Sequence, residues 1–360
     1  VKPGRDKLHK RLAVFAQEHV LAFWDELDAC ARERLADQLE PLDFELIERL
    51  FRGHSADEDW AELARRAAAP PAFRLHHSRP PIPTEQAHER GQQALAAGQV
   101  GVLLVAGGQG TRLGFAQPKG MFAIGPVSGA SLFQVLFEKI LARSRASGMR
   151  IPLYLMTSPA THDETVAYLA ANEHFGLARE DVRVFCQGTM PAVDATSGRL
   201  LLSSKSEIVL SPDGHGGMLQ ALAASGCLAD IRDRGLRQLF YCQVDNPLVE
   251  MCDPALLGYH LLASAEVSTL VVAKRHARER VGNVVSIDGR VRILEYSDLN
   301  PLSDEIVERR AADGGPVFWA GNTATHVFDA AFLESMAASA EGLPFHVARK
   351  AVSYVDSAGR

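Results

Sequence analysis

The chain has 360 residues, 47% hydrophobic and 23% charged, with a formal net charge of -6, the profile of an ordinary globular protein long enough for two or three structural units. No general basic excess invites nucleic acid, no apolar stretch is long enough to cross a bilayer, and cysteines at 30, 186, 227, 242 and 252 lack the close pairing of a structural zinc site or a disulfide framework. Reduced thiols and a cytoplasmic location are expected, since the opening Val1-Lys2-Pro3-Gly4 has neither signal- nor transit-peptide character.

The first hundred residues read as helical. Leu8, Leu12, Phe15, Phe23 and Leu27 recur at helical spacing, and Leu35, Leu39, Leu42, Leu46 and Leu50 repeat the stripe after a short break. Pro70, Pro71, Pro80, Pro81 and Pro83 then remove N–H donors and fix φ, predicting a linker that a helix over 84–97 leaves. His76-His77 lies in that linker without metal-ligand spacing and reads as solvated loop.

The texture changes at Val100, where an apolar run ends in Ala106-Gly107-Gly108-Gln109-Gly110-Thr111-Arg112. Apolar strands predicted at 151–156, 182–185, 239–244 and 269–273 alternate with helical stretches such as 132–142 and 218–231. Such alternation implies an α/β domain with a mixed, mostly parallel sheet. From Asn283 shorter strands flank Asp288-Gly289, a hairpin signal, so an antiparallel subregion is expected there. The basic run Lys274 to Arg280, broken by Glu279, reads as a solvated loop. The predicted organisation is a helical region with its linker over 1–97, a catalytic domain over 98–345 and the start of a further region over 346–360.

In open α/β sheets, ligands gather at the carboxyl ends of strands, where glycines let main-chain N–H groups wrap an anion and an Arg such as Arg112 offers a fork matched to phosphate oxygens. A structural tight turn is the plainer reading of the same glycines. Two familiar loops fit badly. A Walker loop needs Lys-Ser/Thr after its last glycine, where Thr111-Arg112 stands, and a dinucleotide fingerprint needs glycine at position 113, which is Leu113.

The longer string is more specific. Leu104-Val105-Ala106-Gly107-Gly108-Gln109-Gly110-Thr111-Arg112-Leu113-Gly114 followed by Pro118-Lys119-Gly120 resembles the signature of the UDP-N-acetylhexosamine pyrophosphorylase group of the UDP-glucose pyrophosphorylase superfamily. Phe133-Gln134, Met156-Thr157-Ser158, Phe175-Gly176-Leu177, Gln187-Gly188, Pro212-Asp213-Gly214, Val244-Asp245-Asn246, Glu295-Tyr296-Ser297, Gly321-Asn322 and His346-Val347-Ala348 follow in that group's order. The resemblance implies a Rossmann-like nucleotidyltransferase core that uses Mg2+ and joins UTP to a sugar 1-phosphate, releasing pyrophosphate. The alternatives are a UDP-glucose or UDP-galactose type of pyrophosphorylase and a protein that binds nucleotide sugars without turnover.

By the same resemblance Gly107 and Gly108 pack against the nucleotide, Arg112 faces the leaving phosphates, and Lys119 neutralises the reacting ones. Gln187 and Gly214 read uracil. Asp245, at the end of an apolar strand, can reach a Mg2+ ion shared with phosphate oxygens, although an Asp capping the following turn is the plainer reading. Gly282, Glu295 and Asn322 match sugar-binding positions. His215 looks like the UDP-glucose enzymes where the N-acetylhexosamine enzymes have Asn, so the sugar site reads as mixed, with N-acetylglucosamine 1-phosphate placed ahead of glucose or galactose 1-phosphate. Cys242 and Cys252 flank the Asp245 loop as core thiols rather than nucleophiles. Beginning at Val1 and stopping at Arg360, the chain reads as cut from a longer protein, before a family segment that carries a phosphate-reaching lysine. Binding of uridine nucleotides with weak turnover is the expectation.

Overall fold

Val100–Val105 is buried along its whole length, as an apolar run covered on both faces requires. It is the first strand of a computed structural model that describes residues 4–53, 59–74, 81–212, 217–339, 351–356 and 358–360. The strands among these are β1 (Val100–Val105), β2 (Leu153–Thr157), β3 (Val182–Cys186), β4 (Thr189–Pro191), β5 (Leu202–Ser204), β6 (Glu207–Ile208), β7 (Leu210–Pro212), β8 (Gln238–Gln243), β9 (Val267–Ala273), β10 (Asn283–Ile287), β11 (Arg290–Leu294) and β12 (Ala320–Asp329). The chain divides into two compact units, one of residues 58–187 and 218–340, the other of residues 1–57, 188–217 and 341–360. The helical amino-terminal region is therefore shared between them. His76-His77, Gly214, His215 and the string His346-Val347-Ala348 lie outside the described residues.

The larger unit is an α/β three-layer structure. Its sheet runs β11-β10-β12-β8-β1-β2-β3, with β9 paired to β12. β3, β2, β1 and β8 are mutually parallel. One face buries Val102, Leu104 and Phe240 against Phe133, Leu136, Phe137, Leu169 and Leu257, and the other buries Leu103, Tyr154 and Tyr241 against Leu219, Leu222, Ile231 and Leu333.

The antiparallel part begins one strand earlier than expected, at Val267. β9 runs in the same direction as β8, as the strand–helix–strand alternation implies, but β12 is inserted between them and is antiparallel to both: Val327 lies opposite Phe240 on one side and Ser268 on the other. No local pattern encodes an insertion that arrives more than forty residues later. The hairpin of β10 and β11 closes as expected through Asp288 and Gly289, both at positive φ between the paired Ile287 and Arg290, the geometry of a two-residue type I′ turn.

Helix Leu132–Ser147 starts where the Ser131 hydroxyl accepts the Gln134 N–H at 3.1 Å and stops at Gly148, at φ 71°. The stretch predicted helical over 218–231 is two helices, Gly217–Ala224 and Cys227–Asp233, separated by Gly226 at φ 77°. Thr84–Ala96 packs on Pro254–Leu262 so closely that a Cβ on Gly258 would lie 1.6 Å from the Ala87 carbonyl oxygen and one on Gly91 1.9 Å from that of Pro254. The proline-rich stretch is less of a free linker than its composition suggests, since Phe73 stacks on Tyr259 with centroids 4.8 Å apart and Arg74 lies over the Trp319 ring.

In the smaller unit, the helix predicted to carry the Leu8 stripe ends at Ala13, and 3-10 turns at Glu18–Leu21 and Trp24–Glu26 continue it. The second stripe is likewise broken beside Pro41 into Ala29–Leu39 and Phe44–Phe51. Their apolar side chains still meet, closing a core with Leu200, Leu202 and Ile208. Two small antiparallel pairs, β4 with β7 and β5 with β6, complete it.

Candidate active site

Because β1, β2, β3 and β8 are parallel, the residues just beyond their carboxyl ends emerge together: Gly107, Ser158, Gln187 and Asp245. The glycine loop doubles back on itself. Gly110 N–H donates to the Gln117 carbonyl at 2.9 Å and Lys119 N–H to the Gly108 carbonyl at 3.0 Å, so the loop returns Lys119 beside the glycine at its entrance. Gly110 must be glycine here, since a Cβ would sit 2.8 Å from the Phe115 carbonyl oxygen. Among the described residues the N–H groups of Gly107, Gly108 and Gln109 have no protein acceptor, leaving donors available to an anion.

Lys119 Nζ donates to Asp245 Oδ2 at 3.1 Å, with side chains 22% and 50% exposed. An ion pair this open to water contributes at most about 1 kcal/mol to stability, so its consequence is placement: a cation and a carboxylate meet at the sheet's carboxyl edge. Gln187 is buried, its N–H donating to the Thr157 carbonyl at 2.8 Å. A Cβ on Gly107 would stand 3.3 Å from the Gln187 amide, whose polar atoms take no partner among the described residues. Arg112, in the exposed turn Thr111–Leu113, has no ion-pair partner among the described residues and is not drawn into the Lys119–Asp245 pair.

Gly282, Glu295 and Asn322 form a second group. Asn322 N–H donates to the Gly282 carbonyl at 2.8 Å, and a Cβ on Gly282 would lie 3.3 Å from Ile293 Cγ2, 3.4 Å from Glu295 Oε1 and 3.6 Å from Asn322 Cβ. Asn322 sits at a β-bulge, where its Oδ1 accepts the N–H of Ala324, a residue at φ 52°. Its amide NH2 stays available as a donor. Since β12 is antiparallel to β8, the start of β12 lies at the β8 end that carries Asp245, so both groups occupy one edge of the sheet.

Sequence reasoning gave Ser158 no role, yet its buried hydroxyl donates to the Gly107 carbonyl at 2.7 Å and fixes the entrance of the glycine loop. The string Met156-Thr157-Ser158 carried the position but not the contact. Beneath the loop, burial pushes the Cys242 thiol up to about 12 and raises that of Cys252 as well, so neither is ionised near neutrality. Among the described residues no cluster of three or more His, Cys, Asp or Glu side chains could hold a metal by itself. A lone Asp245 suits Mg2+, which is commonly held by one or two carboxylates with substrate phosphates and water completing its shell.

Residues 49–353 match the family model described as UTP–glucose-1-phosphate uridylyltransferase. The chain is 36% identical to the UDP-N-acetylhexosamine pyrophosphorylase-like protein 1 of Xenopus tropicalis, across 97% of this chain and 70% of that one. It is 33% identical to UDP-N-acetylglucosamine diphosphorylase 2 of Arabidopsis thaliana, across 97% and 72%. The crystal structure of a uridine diphosphate N-acetylglucosamine pyrophosphorylase from Trypanosoma brucei, in complex with inhibitor, superposes with a TM-score of 0.77 at 26% identity, over 92% of this chain and 68% of that one.

Proposed function

The chain belongs to the UTP–glucose-1-phosphate uridylyltransferase family, and from that premise we propose that it joins UTP to N-acetylglucosamine 1-phosphate, releasing pyrophosphate. The observation that carries this reading is the Lys119–Asp245 pair set beside a glycine loop with free N–H donors. An oxygen of the sugar phosphate attacks the α-phosphorus of UTP, the bond to the β-phosphate breaks, and the pyrophosphate takes the electron pair. Such a transfer requires positioning and neutralised charge rather than a protein nucleophile, in keeping with the protonated Cys242 and Cys252.

Gly107 and Gly108 offer N–H groups and close approach to the nucleotide, and Gln187 holds an amide that can pair with both a donor and an acceptor on a uracil edge. Lys119 leaves Asp245 for the phosphates once nucleotide is bound, and Arg112 swings from its exposed turn to the leaving β- and γ-phosphates. Asp245 would hold Mg2+, which when bound neutralises phosphate charge. Glu295 and the Asn322 amide orient sugar hydroxyls, with Gly282 leaving room for the ring.

N-acetylglucosamine is supported by the names of the relatives and by Ile293, an apolar side chain 41% exposed beside Gly282, where an acetyl methyl would find a partner. The work is assigned to the cytoplasm, where the five free cysteines would stay reduced. Pyrophosphate release from UTP and Mg2+ with N-acetylglucosamine, glucose and galactose 1-phosphates tests the reading. Fastest release with the first is expected. A specificity ratio strongly favouring a plain hexose would overturn the sugar, and no release from any of them would overturn the activity.

A further inference from the structure

Helix Leu132–Ser147 packs against the two segments that carry the Lys119–Asp245 pair. On one side, the Phe133 ring lies against Gly120 so tightly that a Cβ there would be 2.2 Å from it, which fixes the backbone next to Lys119. On the other, Lys139 Nζ donates to the carbonyls of Pro247 at 2.5 Å and Val249 at 2.9 Å, and one turn later Arg143 Nε donates to that of Met251 at 3.1 Å while its other nitrogen pairs with Glu250 at 3.0 Å. Three alternate carbonyls of the segment after Asp245 are thus held by two cations of one helix. The helix cannot readily shift beneath them, because Leu132, Phe133, Leu136, Phe137 and Ile140 are all buried on the sheet. Val244 and Val249 anchor the segment in the core on either side, while Leu248 between them is 89% exposed, so Lys139 is what ties the carbonyl of Pro247, at the tip, to the helix.

We propose that this helix is the spacer that sets Lys119 against Asp245, and that Lys139 is a positioning residue of the Asp245 loop. The proposal rests on the reading of Asp245 as the carboxylate that serves the reacting phosphates. Lys139 touches no substrate in it. It acts by satisfying two carbonyls that would otherwise turn toward water and draw the loop outward. Displacement of a reacting group by about 1 Å is enough to cost up to about a hundredfold in rate, so the loss falls on turnover rather than on nucleotide affinity.

The test compares Lys139→Met and Lys139→Arg with the parent chain by steady-state pyrophosphate release and by hydrogen exchange of the Asn246 and Val249 amides, which close the loop's turns on Gln243 and Asn246. Lys139→Met should lower kcat about tenfold or more with KM for UTP changed less than about twofold, and raise exchange at both amides about tenfold. Lys139→Arg, which keeps a cation able to reach two carbonyls, should recover most of both. Unchanged exchange in Lys139→Met, a fall in kcat matched by an equal rise in KM, or no recovery in Lys139→Arg would overturn the assignment. Should the parent chain release no pyrophosphate with any sugar phosphate, the functional reading fails and the exchange result alone decides whether Lys139 holds the loop.

Discussion

The two ends of the candidate site are built by different rules. The proposed phosphate end sits on parallel strands, and its parts follow strand ends directly: Gly107 two residues after β1, Gln187 one after β3, Asp245 two after β8. The proposed sugar end is made by antiparallel pairing, with Gly282 just before β10, Glu295 just after β11 and Asn322 at a bulge in β12. The first offers free backbone donors, a cation and a carboxylate, and the second offers a carboxylate, an amide and an apolar side chain. In the proposed function, charge handling is thus separated from shape recognition. Damage to the first end should strike turnover, and damage to the second should strike the choice and affinity of the sugar.

The largest effect is expected at Asp245. Asp245→Asn removes a full negative charge where Mg2+ and phosphate are proposed to meet, and should lower kcat by about two to three orders of magnitude. Stability should barely move, because the pair it forms with Lys119 is half open to water. Kinetics and a thermal melt of the same sample check both halves, and near-normal turnover would remove Asp245 from the charge-handling end.

The contrast also explains what the sequence made legible. A glycine loop follows its strand within a few residues, so Gly107, Gly108 and Arg112 can be picked out locally, whereas Lys119 came forward only with the resemblance, and the hairpin at Asp288-Gly289 declares itself in two residues. Asn283 meets Gly321 across the ladder from thirty-eight positions away, and β12 enters between β8 and β9. Pairings of that kind leave no periodicity behind, and only the resemblance to a family brought Gly282, Glu295 and Asn322 forward. Lys139 and Ser158 were silent for a related reason. A lysine on a helix and a serine after a strand read as solvated or capping residues until the carbonyls they reach are known. The early breaks at Ala13 and Pro41 show the reverse case: the stripe found the core as far as Leu42, but helix continuity failed, and after the Pro41 break Phe44 and Ile47 are buried rather than Leu46 and Leu50.

A middle-sized effect would sharpen the division. Asn322→Ala deletes the NH2 donor and also the Oδ1 that accepts Ala324 N–H in the bulge. Loss of a neutral hydrogen bond to substrate costs about 1 kcal/mol, or roughly fivefold in KM for the sugar 1-phosphate. Calorimetric affinity for UDP should stay within about twofold. A comparable loss of UDP affinity would mean that the two ends are not separable and that the bulge supports the nucleotide as well.

The smallest effect is expected from the thiols beneath the phosphate end. Cys242 and Cys252 are fully buried, and burial disfavours their thiolates strongly enough to push Cys242 up to about 12 and to raise Cys252 too. Iodoacetamide at pH 8 should therefore label exposed Cys30 while sparing both. Pyrophosphate release should remain within about twofold, whereas inactivation that tracks alkylation of Cys242 by mass spectrometry would break the claim that this end works without a protein nucleophile. The same burial fixes a sign for alkaline stability. A thiol whose folded pKa lies above its unfolded value leaves the unfolded chain with fewer bound protons once pH passes about 9, so unfolding becomes easier from there up to about 12. Each buried thiol should contribute up to about 1.4 kcal/mol per pH unit in that window. Urea midpoints should be level in this respect below pH 8.5 and fall by pH 10, and a midpoint that rises between them would show that the thiols are not held protonated under the Asp245 loop.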